Sequence, residues 1–366
     1  MSYHFQNKEY QIARYPKTEQ KSLQAWNAAD ELILDYLDTE KLLPANLAIY
    51  HDRFGFLSVL LSDYHPISVI LFHSQNKAIN KNLEENKIDA DQLKFIYPLD
   101  KIEEPIELAL IKIPKSVDLF ELYLQQLAAQ AHQGLQVIAG FMTKYFNKQL
   151  IEIAEKYFEQ VEQSKAKKKA RLLILKKPKN LAPKELIHEI KLNETKSFKQ
   201  YYGVFSAKNI DYASQFLMEN ISVLSNDKKI LDLGSGNGVL AWKARQLSET
   251  ANINLLDDNY LAIESAKLNI SSDSNHFHFN DDLQSFKRNS FDLVVSNPPF
   301  HFEHETNIEV SLDLFKEVWK ILKPKGRFQM VSNKHLNYQT HLKKIFPHVE
   351  SIAENDKFVV YSCVKI

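Results

Sequence analysis

The stretch Lys229-Ile230-Leu231-Asp232-Leu233-Gly234-Ser235-Gly236-Asn237-Gly238 runs from an apolar segment into three alternate glycines, and residues 239–247 then follow helical spacing. A short apolar run ended by glycine reads as a buried parallel strand. The glycines permit positive φ and close backbone approach, and they present N–H groups at a helix N-terminus. The expected element is the opening β-α unit of a doubly wound α/β sheet, with Gly234, Ser235, Gly236, Asn237 and Gly238 lining a ligand. Dinucleotide-binding dehydrogenases use a similar loop, so the glycines alone do not choose the ligand. Asp232 narrows the choice. It interrupts the strand just before the loop, where a dehydrogenase usually carries an apolar residue, and it suits a cationic cofactor end such as the amino group of a methionine moiety.

Outward from this loop, the next two strands also lead into acids. The strand over 252–256 runs to Asp257, 19 residues past Gly238, where a carboxylate accepts from both hydroxyls of a ribose. Asp258 lies beside it; if Asp258 or Asn259 caps the helix over 260–269, Asp257 is left for the ribose. The strand over 276–279 runs to Asp281, placed for an adenine amino group, with Asp282 the neighbouring alternative. The strand over 291–295 ends in Ser296-Asn297-Pro298-Pro299-Phe300-His301. Two prolines stiffen this corner, contribute no N–H and leave its carbonyls free to accept. The Asn297 side-chain oxygen and the Pro298 carbonyl then both serve one planar –NH2 group, and Phe300 offers a ring on which a base stacks. Asn297, Pro298, Pro299 and Phe300 are thus the candidate catalytic residues, and Asn297 is expected to border the cofactor as well. Hydride transfer has no use for such a corner. The pattern describes S-adenosylmethionine along the carboxyl ends of four strands, beside the exocyclic amine of a nucleobase. His301 and His304, near Glu303 and Glu305, match no well-defined ligand set, and no metal is expected.

The chain of 366 residues, 44% hydrophobic, has material for two cores. No apolar run approaches the ~18 residues of a membrane span, and the N-terminus lacks a signal-peptide layout. One cysteine, Cys363, excludes an intramolecular disulfide and points to a reducing compartment, the cytoplasm. Lys+Arg and Asp+Glu balance at 46 each, yet residues 164–202 hold twelve Lys/Arg against three acids, a stripe able to neutralise phosphates. The first half also repeats β and α, with strands near 47–50, 68–72, 93–97, 108–112 and 135–139. It matches the second half at an offset of 183 to 185: Gly55 on Gly238, Ala78-Ile79 on Ala262-Ile263, and Lys112-Ile113-Pro114-Lys115 on Asn297-Pro298-Pro299-Phe300. This copy has one loop glycine, His73 in the place of Asp257, and Lys112 and Lys115 in the places of the asparagine and the aromatic. Domains are expected over 1–185 and 186–366, the first a substrate-holding platform or a stabilising partner. A hairpin of 349–353 with 358–364 closes the chain.

These residues carry a resemblance. Leu231 to Gly238, Val204-Phe205-Ser206 with Asp211, and Ser296 to His301 resemble class I S-adenosylmethionine-dependent methyltransferases of the Asn-Pro-Pro-Phe/Tyr group. The whole chain, including Arg14-Tyr15-Pro16-Lys17 and Lys112 to Lys115, is similar to bacterial rRNA guanine-N(2) methyltransferases with tandem methyltransferase-like domains. The ending, Asn333 to Tyr338, Leu342 to Phe346 and Lys357 to Val360, looks like that of the large-subunit (23S) enzymes. The resemblance implies two Rossmann-like domains, the first degenerate, each class I sheet mixed and seven-stranded with a C-terminal antiparallel hairpin. It also implies Phe205 as a cofactor contact, S-adenosylmethionine as cofactor, and rRNA as partner, 23S favoured, as naked RNA or an assembling subunit, met by a monomer. Guanine rather than adenine comes from this likeness alone. Ser235 stands where the family commonly has cysteine. A small-subunit (16S) enzyme, an adenine-N(6) methyltransferase and a non-catalytic RNA-binding assembly factor remain as alternatives.

Overall fold

Strands buried on both faces, alternating with amphipathic helices, form two sheets. The computed structural model describes residues 1–17, 23–42, 46–130, 134–271, 273–298 and 308–366. It divides the chain into two compact units, Met1–Leu186 and Ile187–Ile366. In the second unit the sheet order is Asn275–Phe279, Asn252–Asp257, Lys229–Leu233, Phe291–Ser296, Leu322–Asn333, Phe358–Val364, His348–Glu354. The first five of these lie parallel and the last two complete an antiparallel edge. Strand order reverses between Lys229–Leu233 and Phe291–Ser296, the switch point at which open α/β sheets bind ligands.

Alternating side chains feed two cores. Ile230, Ile253, Leu255, Leu293 and Val295 pack with buried residues of helices Tyr212–Asn220, Val239–Leu247 and Tyr260–Asn269. Leu231, Leu233, Leu256 and Val294 face the other way, into a cluster with Phe315, Val318 and Phe328. The fifth strand runs through Pro324-Lys325-Gly326, residue types that ordinarily make a turn. Phe291 pairs with Leu322 but Leu293 with Arg327, so the turn residues form an irregularity inside the strand.

The first unit has the same strand order: Lys94–Ile96, Ile67–Val69, Leu47–Tyr50, Leu108–Lys112, Gln136–Met142, Ala170–Pro178, Phe158–Gln163. The edge strand Phe158–Gln163 and the hairpin of Ser2–Phe5 with Lys8–Gln11 were not legible in the sequence, both being polar and largely exposed. Gly55 and Gly238 adopt the same conformation, φ 81° and 84°, each just before a helix. The register and the helix starts correct two correspondences. Tyr50 and Leu233 occupy the same place, as do Val69 and Leu256, which sets Ile70, not His73, where Asp257 stands. His73 instead opens helix His73–Glu85, as Tyr260 opens its counterpart, so Ala78-Ile79 and Ala262-Ile263 are not equivalent turns. Among the described residues no helix is long and apolar enough to cross a membrane.

Candidate active site

The carboxyl ends of four adjacent strands bring Asp281, Asp257, the glycine loop and Asn297 to one edge of the second sheet, in that order. The loop is held from below: the N–H groups of Gly234 and Ser235 donate to the Leu256 carbonyl at 2.8 and 3.1 Å. Its glycines have different reasons. A Cβ at Gly238 would lie 2.8 Å from Ile270 Cδ1, so this one serves helix packing. A Cβ at Gly236 would meet nothing within 4 Å, so the backbone there borders open space at φ 53°.

Asp232 is fully buried. One carboxylate oxygen accepts from the Ala241 N–H at 2.9 Å, in the first turn of the following helix, and the other has no partner. Burial pushes its pKa up to about 7, opposed by the Ala241 bond and reinforced by Asp257. The Ser235 hydroxyl is likewise buried without a partner. Orphaned polar atoms of this kind are uncommon, and here they sit in and beside the loop.

Asp257 bonds the Gly236 N–H at 2.9 Å through one oxygen and the Asn259 N–H at 2.8 Å through the other. Each oxygen keeps a further lone pair for a hydroxyl donor. Burial raises its pKa to about 6, against those two backbone bonds. The helix cap is Asn259, whose side chain accepts from the Leu261 N–H at 2.9 Å, so Asp257 is released from that duty. Asp258 lies between them, half-buried. Asp281 is half-buried just past the third strand, whereas Asp282 accepts from the Gln284 N–H at 2.9 Å as a turn residue.

Asn297 follows the fourth strand, which Ser296 ties to the first by donating to the Leu233 carbonyl at 2.7 Å. The Asn297 amide nitrogen donates to Asp211 at 2.8 Å and to the Ser214 hydroxyl at 2.9 Å. Asp211 is the N-cap of helix Tyr212–Asn220, and its carboxylate also accepts the Ser214 N–H at 3.1 Å. With both donors of the amide committed, Oδ1 is the atom available to a ligand. Pro298 is buried beside it. Pro299, Phe300, His301, Glu303, His304 and Glu305 lie outside the described residues. Among the described residues no group of three His, Cys, Asp or Glu is arranged to hold a metal.

Sequence reasoning missed the residues that brace the loop. Asn237 donates to Gln200, which is buried and directs its own amide at the carbonyls of Val204, Phe205 and Ser206 at 3.3 to 3.4 Å. Asn269 donates to the Asn237 carbonyl at 2.9 Å, and Ser265 accepts from the Tyr201 N–H at 2.9 Å. The available signal was the alternation of Phe198 and Gln200 on a short strand, which buries a glutamine. Phe205 itself is 77% exposed.

A glycine loop with a buried, half-orphaned carboxylate below it, a diacceptor acid at the end of the second strand and an asparagine corner after the fourth define a class I, S-adenosylmethionine-dependent methyltransferase. Family models agree: residues 1–180 match the RLMG N-terminal domain and 195–362 the methyltransferase small domain. The chain belongs to the ribosomal RNA large subunit methyltransferase G family. It is 31% identical to a protein of that name from Pseudoalteromonas translucida, with 98% of this chain and 97% of the relative aligned. It is 33% identical to one from Aliivibrio fischeri, with 97% and 95% aligned. A T. thermophilus 16S rRNA N2 methyltransferase solved in complex with AdoMet and guanosine shares the fold, with a TM-score of 0.77 over 100% of this chain and 98% of that one, at 17% identity.

Proposed function

We propose that this chain methylates the exocyclic 2-amino group of a guanine in ribosomal RNA, the 23S RNA in preference to the 16S. The observation that carries this reading is the fixed Asn297 amide, whose nitrogen is held by Asp211 and Ser214 while its oxygen faces no donor among the described residues. Bound S-adenosylmethionine supplies an electrophilic methyl group. Asp257 accepts from its ribose, Asp281 from its adenine, and the buried oxygen of Asp232 favours its cationic end, with Asp258 adding to the local negative charge. Gly234, Ser235, Gly236, Asn237 and Gly238 form the cradle, and the exposed Phe205 covers it.

At the acceptor, the Asn297 oxygen and the Pro298 carbonyl take the two N–H bonds of the amine. They draw its lone pair out of conjugation with the ring and aim it at the methyl group, so positioning supplies much of the rate. Pro299 stiffens the corner and Phe300 stacks the base. No strong base is needed, because the methylated amine sheds its proton to water. Reaching the site requires the guanine to leave its helix, at a cost of ~a few kcal/mol. On this reading the enzyme is a cytoplasmic monomer that meets naked RNA or an assembling subunit.

Labelled methyl transfer to RNA from cells lacking the gene, followed by nucleoside analysis, tests it. N2-methylguanosine in 23S RNA is expected. Label in N6-methyladenosine, label in 16S RNA, or no transfer to either naked RNA or particles would overturn it.

A further inference from the structure

Among the described residues, the face of the second sheet that carries the Phe315 cluster also has a polar corner, which no helix residue lines. Ile253 and Leu255 pack beneath helices, but Asn252 and Asn254 alternate to the opposite side, beside His276 and His278 of the neighbouring strand. The connection over 280–290 contains no helix, while Phe315 and Val318 of helix Ile308–Ile321 pack with Phe291 and Phe328 on the fourth and fifth strands. A groove of about 560 Å³ remains, lined by Lys229, Asn252, Asn254, His276, His278, Ser285 and Phe286. Its size is that of a small-ligand site.

The side chains are ordered into a ladder. His278 Nε2 bonds Asn254 Oδ1 at 3.0 Å, Asn254 donates to Asn252 Oδ1 at 2.8 Å, and Asn252 donates to His276 Nε2 at 2.8 Å. The chain of bonds runs one way, so it needs a proton on His278 Nε2 and none on His276 Nε2. The His276 proton is then on Nδ1, as a donor on an exposed ring. The edge of Phe286 closes one side, 4.9 Å from the His278 ring. Lys229, its ammonium 4.5 Å from the centre of the Phe291 ring, supplies the positive charge; among the described residues no carboxylate lines the groove, and Asp292 on the fourth strand is already paired with Lys323 at 2.7 Å.

We propose that this groove seats one unpaired nucleotide of the RNA, with the base edge on the amide–imidazole ladder and the phosphate at Lys229. The choice of RNA rests on the function proposed above; the pairing of hydrogen-bonding side chains with positive charge is the chemistry that single strands require. The test uses the full chain and fluorescence anisotropy with a labelled single-stranded oligoribonucleotide of about eight nucleotides. Lys229→Met combined with His276→Ala is expected to weaken binding about tenfold, with S-adenosylmethionine affinity and the melting temperature kept. Unchanged oligonucleotide affinity would overturn the proposal. His276→Gln, which keeps a polar edge at an exposed position, should recover part of the affinity in the presence of Lys229, and a loss equal to that of His276→Ala would count against base-edge reading. Weakened binding by the double variant with no methyl transfer by the wild type would remove the rRNA function and leave the groove. Normal transfer by the wild type with unchanged binding would do the reverse.

Discussion

In the proposed role, Asp232 trades stability for binding. Its pKa in the folded chain, about 7 against an ordinary 3.8, means that the folded state holds the proton more tightly than the unfolded one. The charged form is therefore penalised, and this residue's effect on stability turns unfavourable as pH rises from about 4 to about 7. Asp232→Asn removes the penalty. The cofactor-free variant should melt above the wild type at about pH 8 and converge with it near pH 4, while binding S-adenosylmethionine at least about tenfold more weakly through loss of a charge-assisted contact. A lower melting temperature for the variant at the higher pH would show the carboxylate to be a net stabiliser, contrary to this account.

In the glycine loop, packing and the proposed binding fall on different residues. Gly238→Ala meets both a positive φ of 84° and a carbon 2.8 Å away, so it should cost about 2–3 kcal/mol in unfolding experiments. Gly236→Ala meets only the φ penalty, about 1 kcal/mol, because its Cβ projects into open space. Its methyl group should instead weaken cofactor binding by more than about tenfold. Equal effects on melting with no effect on affinity would put Gly236 outside the cradle. The loop, its strand and the acids at the next two strand ends were legible because apolar period and glycine spacing are local signals. Gln200, Ser265 and Asn269 were not, since their partners come from distant segments and their residue types carry no periodic mark. The duplication was legible too, but the place of Asp257 in the first copy was not. Ile70 carries no signal of a lost acid, and only the strand register finds it.

For the whole molecule, two units of one topology share a scaffold without sharing a site. In the first unit Arg53 occupies the place of Gly236 and is buried, its guanidinium 4.5 Å from the Phe72 ring and bonded to the Ser74 hydroxyl at 2.7 Å. Lys112, in the place of Asn297, is ion-paired with buried Asp30 at 2.9 Å. Asp52 has taken over a role of Asp232, accepting the Ser58 N–H in the first turn of its helix at 2.8 Å, with burial raising its pKa to about 6. The scaffold's need for a buried acceptor at that N–H persisted after the cradle was filled. Calorimetry should therefore count one S-adenosylmethionine per chain, with Asp257→Ala abolishing the heat. A second site that survives this substitution would locate binding in the first unit.

In the proposed mechanism Asn297 grips the acceptor amine and, although it borders the cofactor, adds little to cofactor affinity. Single-turnover methyl transfer by Asn297→Ala, measured beside its affinity for S-adenosylmethionine, tests it most directly. The expected rate is lower by about 10²–10³-fold, with cofactor affinity within about twofold of the wild type. Parallel losses of rate and affinity, or a rate left intact, would contradict it.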